Sequence, residues 1–192
     1  MTTYKIDQGT NFGTWEDTTS RLLYDDAMPA MLNGINTSGN VLDYGGGNGL
    51  LKKYITNSKT IDIDPTKKPD IVDDIKTYKP NCDLVVMRYL LHYLHDKEVT
   101  DLFTHLFCHD VKRILVIQFV NENLEDKNFN SINETKYFRN ERQLCNLFSY
   151  WKIKQIKKLS YVVEKEFYLN RLNHPNPKTH EETLLSIELL KL

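Results

Sequence analysis

Apolar positions in this chain fall into two rhythms. Short unbroken runs, Val41-Leu42, Leu84–Met87 and Ile114–Ile117, are bounded by polar residues. Such runs fit strands buried on both faces of a sheet. Between two of them, Val99, Leu102, Phe103, Leu106 and Phe107 recur at i, i+3, i+4, i+7 and i+8, the single apolar stripe of an amphipathic helix that Asp96 is placed to cap. Further strands are predicted at Thr60–Ile63, at Ile71-Val72, at Lys152–Ile156 with one wet face, and at Leu184–Leu189. Further helices are predicted from Trp15 to about Met28, after Thr14 with Asp17 three residues on, and from Leu50 to Ile55. A last helix runs from the Asn140/Gln143 capping box to about Phe148.

Strands alternating with helices predict an α/β fold, a mostly parallel sheet covered on both faces. Ligands of such sheets bind beyond the carboxyl ends of the strands, so residues after Tyr44, Ile61, Val72, Met87 and Ile117 are the candidates. The length of 192 residues suits one domain: an N-terminal helical arm over 1–38, a ligand-binding half over 39–118 and a substrate-side half over 119–192.

Composition narrows the partners. Lysine plus arginine total 25 against 26 acids, a formal charge of −1, which disfavours a general nucleic-acid binder. Lys152, Lys154, Lys157 and Lys158 form a basic stripe that reads as the solvated face of an edge-like strand rather than an RNA contact. No apolar run approaches the roughly 20 residues of a membrane span, and the first residues do not read as a secretory signal. Cys82, Cys108 and Cys145 are odd in number and lack CxxC spacing, which fits reduced thiols in a cytoplasmic protein. Asp101, His105 and His109 stack on one helix face, but opposite the apolar stripe, so a solvated surface is expected there and no metal site.

The chemistry is concentrated in Val41-Leu-Asp-Tyr-Gly-Gly-Gly-Asn-Gly49, which packs four of the eight glycines into five positions. Such a turn lets backbone approach a ligand closely. The dinucleotide pattern G-x-G-x-x-G fails in register, because Leu50 stands where the third glycine belongs, and no Gly-Lys-Ser/Thr follows for an NTPase loop. The run instead resembles motif I of the class I S-adenosylmethionine-dependent methyltransferases. Thr60-Ile-Asp62-Ile-Asp64-Pro resembles that family's second strand, Asp70–Ile75 its adenine-contacting segment, and Asp83–His92 its fourth strand and following turn.

The resemblance implies a Rossmann-like three-layer sandwich with an antiparallel last strand, S-adenosyl-L-methionine as cofactor, and methyl transfer by in-line displacement to a small molecule or a peptide side chain. It implies cofactor contacts from Asp43, Gly45, Gly46, Gly47, Gly49, Asp62, Ile63, Asp74, Ile75 and Arg88. A carboxylate can accept both ribose hydroxyls, a role for Asp62 with Asp64 competing, while Asp43 either attracts the methionine ammonium or caps the following helix. His92 is the candidate general base, and Tyr89, Trp15 and Arg139 the candidate substrate contacts. Gln118–Arg139 is long enough to act as a lid. The competing readings are a cofactor-holding module without turnover and an RNA methyltransferase. The acceptor and the oligomeric state stay open.

Overall fold

The computed structural model describes residues 27–120, 128–130, 135–137, 139–163 and 180–192. Residues 27–32 are the described part of α1. The helix runs past Pro29, whose carbonyl accepts from the Asn33 N–H at 3.1 Å, instead of stopping at Met28. Proline lacks a donor, but its carbonyl still serves the next turn. Trp15 and the predicted arm helix as far as residue 26 lie outside the described residues.

The strands are β1 (Val41–Tyr44), β2 (Ser58–Asp62), β3 (Ile71–Val72), β4 (Asn81–Arg88), β5 (Asp110–Val120), β6 (Asn128–Asn130), β7 (Thr135–Tyr137), β8 (Trp151–Val163) and β9 (His180–Lys191). α2 spans Asp96–Phe107 and α3 Glu141–Cys145. Seven strands form one sheet in the order β3-β2-β1-β4-β5-β9-β8. β1 to β5 are mutually parallel, and β9 is antiparallel to both of its neighbours. The chain leaves β1 toward β2 and later returns to β4 on β1's other side, so the sheet reverses its strand order between β1 and β4. That reversal opens a crevice at the strands' carboxyl ends.

Both faces are covered, which gives three layers. Leu42, Tyr44, Val85, Met87, Ile114 and Val116 face Val99, Leu102, Phe103 and Leu106 of α2 and Leu144 of α3. Alternate residues Val41, Leu84, Val86, Leu115 and Ile117 face Met28 and Met31 of α1 and Leu51. This is the period-two consequence of runs that are apolar on both sides.

Helical content is lower than the pattern predicts. The helix expected over Leu50–Ile55 is a 3-10 turn, Leu50–Lys53, which starts without a side-chain cap or a first-turn acid. α3 ends at Cys145 instead of near Phe148. α2 begins as predicted, but its cap is His95, not Asp96. His95 Nδ1 accepts from the Lys97 and Glu98 N–H groups at 3.1 and 3.3 Å, and the Glu98 carboxylate accepts the His95 N–H at 3.2 Å. Histidine is not an ordinary cap residue, so sequence preference favoured its neighbour. The region 118–139 is less of a loop than predicted, since β5 continues to Val120 and β6 and β7 form a hairpin. β8 and β9 likewise extend beyond the predicted Lys152–Ile156 and Leu184–Leu189, to Val163 and from His180.

Candidate functional site at the glycine turn

The glycine turn hangs from the end of β1. The Gly45 N–H donates to the Ile61 carbonyl at 2.9 Å, and the Gly49 N–H donates to Gly46 O at 3.0 Å, closing the bend. Two of the glycines have different necessities. A Cβ on Gly46 would lie 2.4 Å from Asp43 Oδ2 and 2.8 Å from Thr60 Cγ2, so backbone must ride directly over the Asp43 carboxylate. Gly47 has φ +54, and its Cβ direction opens onto nothing within 4 Å. One glycine is required by the protein beneath it; the other is required by its backbone and borders open space.

Asp62 ends β2 facing this bend. Its Oδ2 accepts the Gly47 N–H at 2.9 Å and its Oδ1 accepts the Asp64 N–H at 2.9 Å. Two backbone donors therefore fix a partly exposed carboxylate at the lip of the turn. Asp64 is otherwise engaged. Its Oδ1 accepts from Thr66 N and Thr66 Oγ1 at 2.9 and 2.7 Å, capping the next 3-10 turn, and these bonds hold its carboxyl below the usual range.

Asp43 is fully buried, with Arg88 from the end of β4 its ion-pair partner at 3.2 Å. Burial pushes the Asp43 carboxyl above its ordinary range, against the opposing pull of Arg88. Among the described residues, Asp43 Oδ1 and Arg88 Nε have no hydrogen-bond partner. Buried polar atoms are normally satisfied, so a pair with unused capacity beneath a glycine turn fits a bound molecule carrying both charges. An aminocarboxylate end is such a molecule, and the absence of a side chain at Gly46 and Gly47 suits its close passage. The residues present thus fit S-adenosyl-L-methionine. Asp43 is a sheet residue that holds Arg88; it does not cap the 3-10 turn, whose N-terminus carries no side-chain cap bond.

Farther along the crevice, Ile63 is 66% exposed just beyond β2, an apolar surface beside Asp62. Asp74 Oδ1 accepts the Lys76 N–H at 2.9 Å within a turn, and Ile75 packs partly into the core. On the other side of β4, Tyr89 has φ +52 and donates its N–H to Ile117 O at 2.9 Å, with its ring stacked on Phe119 at 6.3 Å. His92 is buried, its ring 4.8 Å from that of Phe119, and its Nδ1 lies 3.1 Å from the Gln118 side-chain nitrogen. His92, Gln118, Phe119, Tyr137, Arg139 and Leu144 line a cavity of about 10 Å³, room for about one water.

Arg139 lines this cavity but does not reach outward as expected of a substrate contact. Its Nε donates to Asp96 at 2.9 Å, Nη1 to Leu91 O at 2.7 Å and Nη2 to Leu94 O at 2.6 Å. It clamps the 3-10 turn Leu91–Tyr93, and so sets where His92 sits. Three of the four lysines of β8 are similarly occupied: Lys154 pairs with buried Glu188 at 3.1 Å, Lys157 with Asn33 O and Lys158 with Glu141. Among the described residues no cluster of three metal-ligating side chains occurs, and no helix is long and apolar enough to cross a membrane.

Gln118 and the Asp43–Arg88 pairing were not foreseen in the sequence. The pairing depends on register, since Tyr44 aligns with Met87 and so sets Asp43 and Arg88 on one face at neighbouring positions.

Comparison with known proteins bears on the family and the fold. A family model described as a methyltransferase domain matches residues 12–159. No curated protein sequence matches. Among solved structures, an S-adenosylmethionine-dependent methyltransferase from Methanosarcina mazei is similar at TM-score 0.63 and 15% identity, covering 85% of this chain and 97% of its own. The glycopeptide N-methyltransferase MtfA complexed with S-adenosyl-L-homocysteine is similar at TM-score 0.61 and 10% identity, covering 87% and 89%. Magnesium protoporphyrin IX methyltransferase from Synechocystis PCC 6803 with bound cofactor is similar at TM-score 0.54 and 14% identity, covering 88% and 79%. These likenesses carry the fold, and the family match carries the rest: the chain belongs to the methyltransferase-domain family, as an S-adenosyl-L-methionine-dependent methyltransferase of Rossmann-like fold.

Proposed function

We propose that this chain methylates a small molecule or a peptide side chain, and that the crevice between β1, β2 and β4 divides the cofactor among three groups of residues. Asp62 takes the ribose hydroxyls. Ile63, Asp74 and Ile75 border the adenine. Asp43 and Arg88, under Gly45, Gly46, Gly47 and Gly49, receive the aminocarboxylate end. The observation that carries this reading is the Asp62 carboxylate, fixed by the Gly47 and Asp64 N–H groups at the lip of the turn, while Asp64 is turned away into its own cap. An acceptor-only group with lone-pair sites still available can accept from two vicinal hydroxyls.

When bound, the cofactor supplies a methyl carbon on a positive sulfur; the acceptor's lone pair forms the new C–X bond as the S–C bond breaks, and that electron pair stays on sulfur. The protein's part is alignment and exclusion of water. Tyr89, beside Phe119 at the ends of β4 and β5, borders the acceptor side. The near-neutral charge and the engagement of Lys154, Lys157 and Lys158 with protein acceptors support a small acceptor over a nucleic acid. Two structural neighbours are named for a glycopeptide and a porphyrin, both within this acceptor range.

Calorimetry with S-adenosyl-L-homocysteine tests the cofactor assignment. Asp62→Ala should weaken binding about 10- to 100-fold, the equivalent of losing one or two charge-assisted hydrogen bonds. Asp64→Ala should leave it within about threefold. The reverse ranking would overturn the assignment. Label transferred from methyl-labelled cofactor into the low-molecular-weight or peptide fraction of an extract supports the acceptor class; label in RNA alone refutes it.

A further inference from the structure

We infer that Gln118 is a positioning residue that fixes the proton of His92 on Nε2, so that His92 does not act as a general base.

The argument is one of valence. The Leu91 backbone N–H can only donate, and it lies 3.2 Å from Gln118 Oε1 in a buried setting. That contact orients the amide, because the NH₂ group in the same place would set two donors against each other. The Gln118 NH₂ is then the group 3.1 Å from His92 Nδ1. An NH₂ group has no lone pair to offer, so Nδ1 must accept, and in a neutral imidazole the proton is left on Nε2. The doubly protonated ring is excluded for the same reason, since Nδ1–H would meet the amide N–H. The Arg139 guanidinium lining the same cavity adds a second objection to an imidazolium.

A base needs an available lone pair. On this ring Nδ1 is engaged and Nε2 holds the proton, so accepting a proton would require breaking the Gln118 contact. This replaces the base expected of His92. The ring is held in place by the Arg139 clamp on Leu91 and Leu94 and by Phe119 against it. The base role it loses belongs to the methyltransferase reading; the proton's position does not depend on that reading.

The test is long-range ¹H–¹⁵N correlation NMR on the ¹⁵N-labelled full chain, with the His92 ring assigned by loss of its signals in His92→Asn. The expected wild-type spectrum shows the Nε2–H tautomer, unchanged between pH 6 and 8. Gln118→Glu is nearly isosteric but acceptor-only. It should still take the Leu91 N–H while moving the His92 proton to Nδ1 or making the ring an imidazolium. A wild-type Nδ1–H tautomer, or a ring that titrates freely in that range, overturns the inference. So does a Gln118→Glu spectrum that keeps the Nε2–H form. If Gln118→Glu does not fold, Gln118→Met removes the donor, and mixed tautomers are then expected where a single unchanged Nε2–H form refutes the role of Gln118. Failure to bind S-adenosyl-L-homocysteine would refute the cofactor assignment and leave these spectra unaffected.

Discussion

Replacing Arg88 by methionine isolates the energetics under the glycine turn. The substitution keeps most of the side chain's apolar stem and removes the guanidinium. Asp43, fully buried, then loses the ion-pair partner that holds it 3.2 Å away. Removing one member of a buried pair leaves an uncompensated charge and costs about 3–5 kcal/mol. For a chain of this size that lowers the melting temperature by roughly 10 °C, at about 2–4 °C per kcal/mol. Adding Asp43→Asn removes the stranded charge and leaves a neutral amide that lacks a partner, at about 1–3 kcal/mol. The double variant should therefore be more stable than Arg88→Met alone by about 2 kcal/mol, the difference of those ranges. The pH dependence has a defined sign. Burial already raises the Asp43 carboxyl and Arg88 is the chief opposing influence, so its removal raises the carboxyl further. A raised carboxyl contributes stability that is fully present below the unfolded pKa and is lost as pH rises through the folded pKa. The deficit of Arg88→Met should thus be largest at neutral pH and narrow on acidification, as Asp43 takes up a proton. Urea unfolding of wild type, both single variants and the double variant at several pH values measures all of this. A deficit below about 1 kcal/mol that is flat with pH, or a double variant no more stable than Arg88→Met, would refute the buried ion pair.

The two central glycines should separate in their effects. Gly46→Ala forces a methyl against Asp43 and Thr60 and should lower stability by about 1–3 kcal/mol in thermal unfolding, as overpacking does. Gly47→Ala meets no protein atom, carries the left-handed backbone cost of about 1–2 kcal/mol, and should weaken S-adenosyl-L-homocysteine binding in calorimetry because its methyl enters the crevice. Cys82 is buried and its thiol is pushed up to about 12, chiefly by that burial, so iodoacetamide at pH 8 should label exposed Cys108 and spare Cys82 until urea unfolds the chain, as read by peptide mass mapping. Arg139→Met should destabilise the fold and broaden the His92 ring signals, because the carbonyls of Leu91 and Leu94 lose their donor.

What the sequence made legible follows from which interactions are local. The runs Leu84–Met87 and Ile114–Ile117 declare buried strands because every residue in them faces protein, and the α2 stripe declares its face through period alone. The glycine turn was legible because its spacing is a local backbone requirement. Less legible were features that depend on who lies opposite. Arg88 reads as a strand-end arginine until the register of β1 against β4 brings it to Asp43. Arg139 reads as a reachable cation until the fold brings the carbonyls of Leu91 and Leu94, distant in sequence, within 2.7 Å of its donors. Gln118 reads as the end of a strand, and its meaning comes from two partners 26 and 27 residues away. His95 was passed over because capping preference is a statistic of residue types, while the cap here is the reach of one ring nitrogen.

These long-range contacts also explain why stability and ligand affinity should divide along one short turn. Gly46 must lie on Asp43, and Asp43 is tolerable in the core only because Arg88 arrives from the neighbouring strand, so any change in this column acts on folding first. Gly47 and Asp62 form the other side of the bend. They touch each other through a single bond, the Gly47 N–H donating to the Asp62 carboxylate at 2.9 Å, and Gly47 faces open space where the column faces packed protein. A side chain at Gly47 meets no packed atom, so beyond its backbone cost a substitution there acts, on the proposed assignment, on nucleoside binding. The two halves of the turn are one bend in sequence but two systems in energy, and the boundary between them is the single peptide joining Gly46 to Gly47.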